Sequence, residues 1–150
     1  MELTHQEKMH SQTCFGCGCK NEHGLHIGSV WEGEESVCVW TPQDYHTGPP
    51  GYLYGGIAAC LIDCHSVCTA VAEANGAADR EGEFDPSIMY VTGTMKISYL
   101  KPAPMGEVTL RSRITETAGR KTFIATSLYA GGVECVRGEV VAIRIDPTKF

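Results

Sequence analysis

Residues 48–76 read GPPGYLYGGIAACLIDCHSVCTAVAEANG, a loop rich in proline and glycine followed by a long apolar run. After the glycine pair, apolar residues recur at three- and four-residue spacing: Ile57, Leu61, Cys64, Cys68 and Val71. This spacing predicts an α-helix over residues 55–74, with Asn75-Gly76 as its stop. Alanines occupy the other faces, so the helix is apolar nearly all round and must be buried by its surroundings.

Strand-like stretches lie on both sides of this helix. Two precede it and four follow it, over residues 25–31, 35–40, 87–100, 107–117, 121–130 and 133–145. A loop over residues 41–53 and a charged loop over residues 77–86 separate them from the helix. The links at Gly119-Arg120 and Gly131-Gly132 are short enough for hairpins, which makes the sheet antiparallel. The predicted fold class is α+β, with an antiparallel sheet wrapped around one long central helix.

The overall composition indicates a single globular domain. We divide the 150 residues into a polar Cys/His-rich lead-in over residues 1–24 and one domain over residues 25–150. A net charge of −6 argues against non-specific nucleic-acid binding, which needs positive charge. The longest uninterrupted apolar run has six residues, against about 20 for a membrane span. The first residues lack the apolar core of a secretory signal, so a cytoplasmic protein is expected.

The charge is unevenly distributed along the chain. Residues 1–90 carry three basic and thirteen acidic side chains, whereas residues 91–150 carry nine basic and five acidic ones. The later part is therefore suited to a phosphorylated small molecule. The alternative is that strand faces exposed to water are simply charged.

Eight cysteines stand in a chain that no signal directs to an oxidising compartment, so we interpret them as reduced thiols or metal ligands. The lead-in contains five potential zinc ligands: Cys14, Cys17, Cys19, His23 and His26. Four of them could hold zinc, although the set is packed into thirteen residues, and reduced thiols without a metal are the preferred reading. Cys60, Cys64 and Cys68 line one helix face too far apart for a disulfide, and are interpreted as small core residues.

Asp63 lies inside the apolar helix, where a carboxylate is costly unless it is paired, hydrogen-bonded or used in chemistry. At the helix start, Gly55 and Gly56 let a ligand approach free N–H groups that can stabilise an oxyanion. The alternatives are a local polar network or subunit interface for Asp63, and a simple turn for the glycines. Eight residues of helix separate Gly55 from Asp63 by about 12 Å. Two antiparallel copies in a dimer could combine them, one group from each chain. Neighbouring His65 points elsewhere on the helix and is assigned a structural or interface hydrogen bond.

The run over residues 48–63 resembles the signature of hotdog-fold acyl-CoA thioesterases of the PaaI-like type. Residues 92–102, TGTMKISYLKP, are similar to the strand that follows the helix in that family. The opening Cys14-Phe15-Gly16-Cys17-Gly18 and the hairpin Gly119-Arg120-Lys121 also resemble segments of its members. The resemblance covers most of residues 14–145.

This resemblance implies a hotdog fold assembled as dimers or dimers of dimers, with the active site at the subunit interface, and hydrolysis of an acyl-CoA without a cofactor. Carried over by position, the Gly55 N–H would bind the thioester oxygen, Asp63 would activate water or attack the carbonyl, and Thr92 would orient water or the carboxylate. Arg120 and Lys121 would lie near the CoA phosphates. The remaining substrate-binding positions are Tyr54, Gly56 and His46.

The sequence departs from the family pattern in two places. Tyr54 stands where many members have His, which replaces an imidazole with a phenol. The stretch over residues 47–49 lacks the amide that polarises the carbonyl in many members, and His46 is the nearest polar alternative. A slow or selective enzyme is therefore expected. Two other functions stay open, a non-catalytic acyl-CoA-binding protein and a hydroxyacyl-thioester dehydratase.

The strand parity around Thr92 requires an irregularity. Thr92 alternates away from the face that carries Met95, Ile97 and Tyr99. A β-bulge at Gly93 would reset the two faces.

Overall fold

The computed structural model describes residues 2–10, 12–76 and 82–149. Within them, six strands form one antiparallel sheet in the order β1-β2-β4-β5-β6-β3. The strands are β1 (Ser29–Glu32), β2 (Glu35–Trp40), β3 (Met89–Tyr99), β4 (Val108–Ala118), β5 (Lys121–Ala130) and β6 (Val133–Ile145). One long helix packs on this sheet, which confirms the predicted α+β class and the hotdog fold.

The central helix α2 covers Gly55–Asn75, one residue more than predicted. It ends at Gly76, whose φ of 75° is available to glycine without strain. Leu61 and Ile62 have no solvent exposure. A Cβ at Gly138 of β6 would lie 2.4 Å from a methyl carbon of Ile62, so this glycine allows the helix to approach the sheet closely.

The length and apolar composition of α2 would also allow it to cross a membrane. In the structure, however, 56 % of its apolar window is buried inside the fold. The sheet therefore covers the helix that the composition leaves ambiguous, and α2 is the core helix of the domain.

The first strand begins later than predicted. The sequence pattern favours a strand over residues 25–31, but β1 starts at Ser29. Leu25 and Ile27 are buried, yet their amides donate to the carbonyls of Phe15 and Gly16 in the lead-in instead of joining the sheet. His26 between them has a φ of 53°, which breaks the extended conformation.

The lead-in packs against α2 and β1 through a short helix, α1 (His5–Lys8). From it, Gln6 hydrogen-bonds both the hydroxyl and the backbone N–H of Ser29. The Ser29 hydroxyl is 2.8 Å from Nδ1 of His65, whose Nε2 donates to the carbonyl of Ser36 at 2.9 Å. His65 is fully buried, so its predicted structural role is confirmed.

The predicted bulge in β3 is also confirmed. The register with β6 shifts between Thr92 and Thr94, and a Cβ at Gly93 would lie 2.5 Å from Ile143. Of the charged loop predicted over residues 77–86, residues 77–81 lie outside the described residues. The described part is anchored where the N–H of Asp85 donates to the side chain of Asn75.

Candidate active site

Asp63 and Thr92 meet between α2 and β3. The hydroxyl of Thr92 donates to Oδ1 of Asp63 at 2.5 Å. Asp63 lies on the third turn of the helix and is half-buried, whereas Thr92 adjoins the bulge and is exposed. The irregular register at Gly93 thus resolves the parity conflict by turning Thr92 towards the helix. A carboxylate fixed by one oxygen retains the other for a water molecule or a reacting carbon.

Both residues line a cavity of about 370 Å³ between α2, the beginning of β3 and the lead-in. Much of the wall is apolar: Val67, Val71, Phe84, Pro86, Ile88 and Val91. His10 also lines this cavity, but its Nε2 lies 2.8 Å from the carbonyl of Phe84. The arrangement places one oriented carboxylate at the wall of an otherwise mainly apolar chamber.

The start of α2 forms a second site, at a distance from the first. Tyr54 is the N-cap, and its carbonyl accepts the N–H groups of Ile57 and Ala58. The first amides of a helix, here Gly55 and Gly56, have no acceptor within the helix and carry its positive dipole end. Gly55 lines a separate cavity of about 250 Å³, so one chain does not bring Gly55 and Asp63 together.

Tyr99 is a site residue that the sequence pattern did not reveal. Its hydroxyl donates to the carbonyl of Gly55 at 2.7 Å, and a Cβ at Gly55 would lie 3.3 Å from its ring. Burial, with Tyr54 and Cys60 nearby, raises the pKa of Tyr99. Tyr99 therefore fixes the helix start from the end of β3. Its alternation with Met95 and Ile97 indicated only a strand face.

Tyr54 covers the next glycine. A Cβ at Gly56 would lie 2.5 Å from the Tyr54 ring, so a larger residue would displace this side chain. Tyr54 itself is 55 % exposed. Its phenol stands at the helix start and is accessible to a ligand.

His46 ends a 3₁₀ turn over Asp44–His46. Its Nδ1 accepts the backbone N–H of Gln43 at 2.9 Å, and its ring lies against Trp40 and Tyr45. Burial lowers the pKa of His46. The His46 carbonyl accepts the N–H of Tyr54, so this residue touches the helix start through its backbone. Its ring contacts the two aromatic residues and lines neither of the cavities described above.

Arg120 and Lys121 lie at the exposed hairpin between β4 and β5. Lys121 pairs with Ile143, which in turn pairs with Val91, the neighbour of Thr92. The basic hairpin is therefore level with the Asp63–Thr92 pair across the sheet. That position is accessible to an anionic ligand reaching the same end of the molecule.

The zinc ligand set expected from the lead-in does not assemble. Cys19 and His23 are exposed, and the ring of His26 contacts the carbonyl of Asn21. Cys14 and Cys17 gather instead around Cys64, and the three Sγ atoms lie within 4.8 Å of one another. Cys64 is therefore not only a core residue, because the lead-in folds back onto α2 and brings two thiols to it.

Comparison with known proteins follows this geometry. Residues 50–136 match the family model of the thioesterase superfamily. A thioesterase superfamily protein from Shewanella loihica is 35 % identical, with a TM-score of 0.66, and the match covers 83 % of this chain and 96 % of that one. A Streptococcus mutans protein bound to acetyl CoA shares the fold at 15 % identity and a TM-score of 0.64, over 80 % of this chain and 89 % of that one.

The acyl-coenzyme A thioesterase THEM4 of Xenopus laevis is 27 % identical over 110 residues. The match covers 73 % of this chain and 44 % of that protein. The chain spans about half the length of the curated relatives it matches, 44 % and 58 % for the frog and Bos taurus proteins.

Proposed function

This chain belongs to the thioesterase superfamily, and from that membership we propose that it hydrolyses the thioester of an acyl-CoA to the free acid and CoA. The observation that carries the proposal is the hydrogen bond from Thr92 to Asp63 at the wall of a mainly apolar cavity. Relatives named as acyl-coenzyme A thioesterases and a similar fold bound to acetyl CoA support this substrate class.

Asp63 supplies the reacting carboxylate. As a general base, it takes a proton from water while the water oxygen bonds to the thioester carbon. The tetrahedral intermediate then collapses, the C–S bond breaks, and the CoA sulfur leaves with a proton. As a nucleophile, Asp63 would form a mixed anhydride that water hydrolyses. A single turnover in ¹⁸O-labelled water separates the routes, because only the second leaves label in Asp63.

Gly55 stabilises the negative oxygen of the intermediate with its backbone N–H. Because Gly55 and Asp63 of one chain line different cavities, the complete site takes one group from each of two chains. We propose a homodimer, or a dimer of two such dimers. The edge strand β3 supports this assembly, since it is eleven residues long, carries Thr92 and exposes the run from Thr92 to Lys96.

The rest of the substrate would be held by three groups of residues. The acyl group enters the apolar cavity beyond Asp63, and Arg120 and Lys121 bind the CoA phosphates. Tyr54 and Gly56 contact the thioester end at the helix start. His46 contributes by positioning this turn through its carbonyl. A cytoplasmic location is part of the proposal, supported by eight cysteines that are all free.

The test is a panel of acyl-CoAs of different chain length, with hydrolysis followed by the loss of thioester ultraviolet absorbance. This signal is independent of the protein's own thiols. Turnover of at least one thioester to free acid supports the proposal. Tight acyl-CoA binding without turnover would instead make the protein a non-catalytic binder. Reversible hydration of an enoyl thioester without release of CoA would make it a dehydratase.

A further inference from the structure

Three thiols from distant parts of the chain converge beside the helix. Cys14 and Cys17 come from the lead-in, and Cys64 comes from α2. Their Sγ atoms lie within 4.8 Å of one another, and those of Cys14 and Cys64 are 3.7 Å apart. Neither the proposed hydrolysis nor the packing of an apolar core requires three sulfurs at one point.

The spacing matches a metal site. A tetrahedral zinc ion with Zn–S bonds of about 2.3 Å holds its sulfurs roughly 3.8 Å apart. A disulfide would require sulfurs about 2.05 Å apart. From this geometry we propose that Cys14, Cys17 and Cys64 bind one zinc ion through their thiolates.

The turn that carries Cys14 and Cys17 is built for such a site. The residues CFGCG place the two cysteines at a spacing typical of zinc ligands. Backbone N–H groups of Gly16 and Cys17 hydrogen-bond the Cys14 sulfur. Donors of this kind stabilise a ligating thiolate and fix its orientation. The turn closes where the N–H of Gly18 donates to the carbonyl of Cys14 at 2.8 Å.

Two glycines make this approach possible. A Cβ at Gly16 would lie 2.2 Å from the Cys64 sulfur, so any side chain there would push the lead-in off the helix. A Cβ at Gly18 would lie 2.4 Å from a backbone oxygen of Gln12 and 2.5 Å from the Cys14 nitrogen. The glycines are thus required by the position of the sulfurs, which is an observation independent of the sulfur distances.

A fourth donor is available next to the cluster. Cys68 lies one helical turn beyond Cys64, is buried, and its thiol interacts with that of Cys17. Three adjacent thiolates would repel one another, and a divalent cation removes that repulsion as the thiol protons are released to water. Bound zinc would tie the lead-in to the residue next to Asp63 and so restrain that part of the helix.

The test uses untagged protein purified under reducing conditions without chelators. The expected result is one zinc ion per chain, with X-ray absorption showing three or four sulfur neighbours at about 2.3 Å. Replacement by Co²⁺ should give the visible spectrum of a tetrahedral thiolate site. These measurements on the wild-type chain require no variant to fold.

Variants then locate the ligands by competition with a chelating dye. Cys14→Ser and Cys17→Ser should weaken zinc binding by more than the roughly 10–100-fold that loss of an outer-shell partner costs. Cys19→Ser and His23→Ala are the matched controls from the same lead-in and should bind as tightly as the wild type. Circular dichroism confirms that each variant is folded.

Three results would overturn the zinc site. They are a reduced wild-type protein that binds no stoichiometric zinc, a metal surrounded only by nitrogen and oxygen, and equal loss of metal in the control variants. A Cys14–Cys64 disulfide in freshly isolated protein would also contradict it. None of these results depends on whether the protein hydrolyses thioesters.

Discussion

The hydroxyl of Thr92 donates a 2.5 Å hydrogen bond to Oδ1 of Asp63, which joins β3 to the middle of α2 at the wall of the larger cavity. This bond fixes one carboxylate oxygen and leaves the other for water or substrate. It also fixes the consequence of altering either residue, because Thr92 acts through Asp63.

We expect Thr92→Val to lower kcat and to change KM little. The variant keeps the shape of the side chain but removes a hydrogen bond to a charged group, worth about 1.5–3 kcal/mol. If that bond acts in the transition state, the rate should fall roughly 10–150-fold. Steady-state kinetics of Thr92→Val and Thr92→Ser provide the measurement, and the serine variant, which keeps a hydroxyl, should retain most activity. Equal loss in both variants would argue against the hydrogen bond.

Gly55→Pro should remove the oxyanion donor while preserving the helix. Gly55 is the first helical residue, a position where proline is tolerated, and Tyr54 before it has the extended conformation (φ −61°, ψ 129°) that proline requires. Loss of one such donor costs roughly 10²–10³ in kcat. Gly55→Ala is the matched control, since it also places a Cβ against Tyr99 but keeps the N–H.

The same variant tests the two-chain site. Mixed dimers of Gly55→Pro and Asp63→Asn contain one intact site, so random mixing of two inactive variants should restore roughly a quarter of wild-type activity. No recovery in proven heterodimers would place both groups in one chain. Light scattering first establishes the oligomeric state.

Arg120→Ala and Lys121→Ala should each raise KM for acyl-CoA and leave kcat nearly unchanged. Both side chains are exposed, so each contact with phosphate should change KM roughly twofold to tenfold, and the effect should shrink as salt is added. Lys20→Ala removes an equivalent exposed charge from the lead-in and serves as control. A KM that is insensitive to both hairpin residues and to salt would remove the basic hairpin from the substrate site.

His65 should make the fold sensitive to acid. Burial lowers the pKa of His65 from 6.5 to about 4, while its Nε2–H donates to the carbonyl of Ser36. The unfolded chain therefore binds more protons between these values, so stability is complete above pH 6.5 and falls as the pH drops towards 4.

Urea unfolding at two pH values measures this contribution. Between about pH 7 and pH 5, the wild type should lose about 2 kcal/mol more than His65→Gln, which cannot acquire the proton. His23→Gln, an exposed histidine, should behave like the wild type. Identical losses in all three proteins would contradict the assignment.

Local spacing predicted the parts of the fold that local chemistry controls. The helix bounds followed from the three- and four-residue spacing and from Gly76, and the bulge at Gly93 followed from the parity of Thr92. The error at β1 has a physical cause. The buried residues Leu25 and Ile27 resemble strand residues, but they pair with the lead-in, which sequence periodicity does not report.

The features that sequence reasoning missed depend on contacts between distant residues. Tyr99 reaches Gly55 across 44 positions, and Cys14 reaches Cys64 across 50. Strand alternation describes Tyr99 only as a member of one face, and helix spacing describes Cys64 only as a core residue. The close approach of Gly16 to Cys64 supplies the reason for a glycine that the motif alone left unexplained.

The central claim is that Asp63 performs the hydrolysis of an acyl-CoA, and the direct measurement is kcat for Asp63→Asn beside Glu73→Gln. Both changes neutralise one acidic residue of α2, but Glu73 is exposed and lies outside the cavity walls. The account predicts that Asp63→Asn loses at least roughly 10²-fold in kcat while keeping its fold, its assembly and its acyl-CoA affinity, and that Glu73→Gln stays active. Undiminished turnover by folded Asp63→Asn would contradict it.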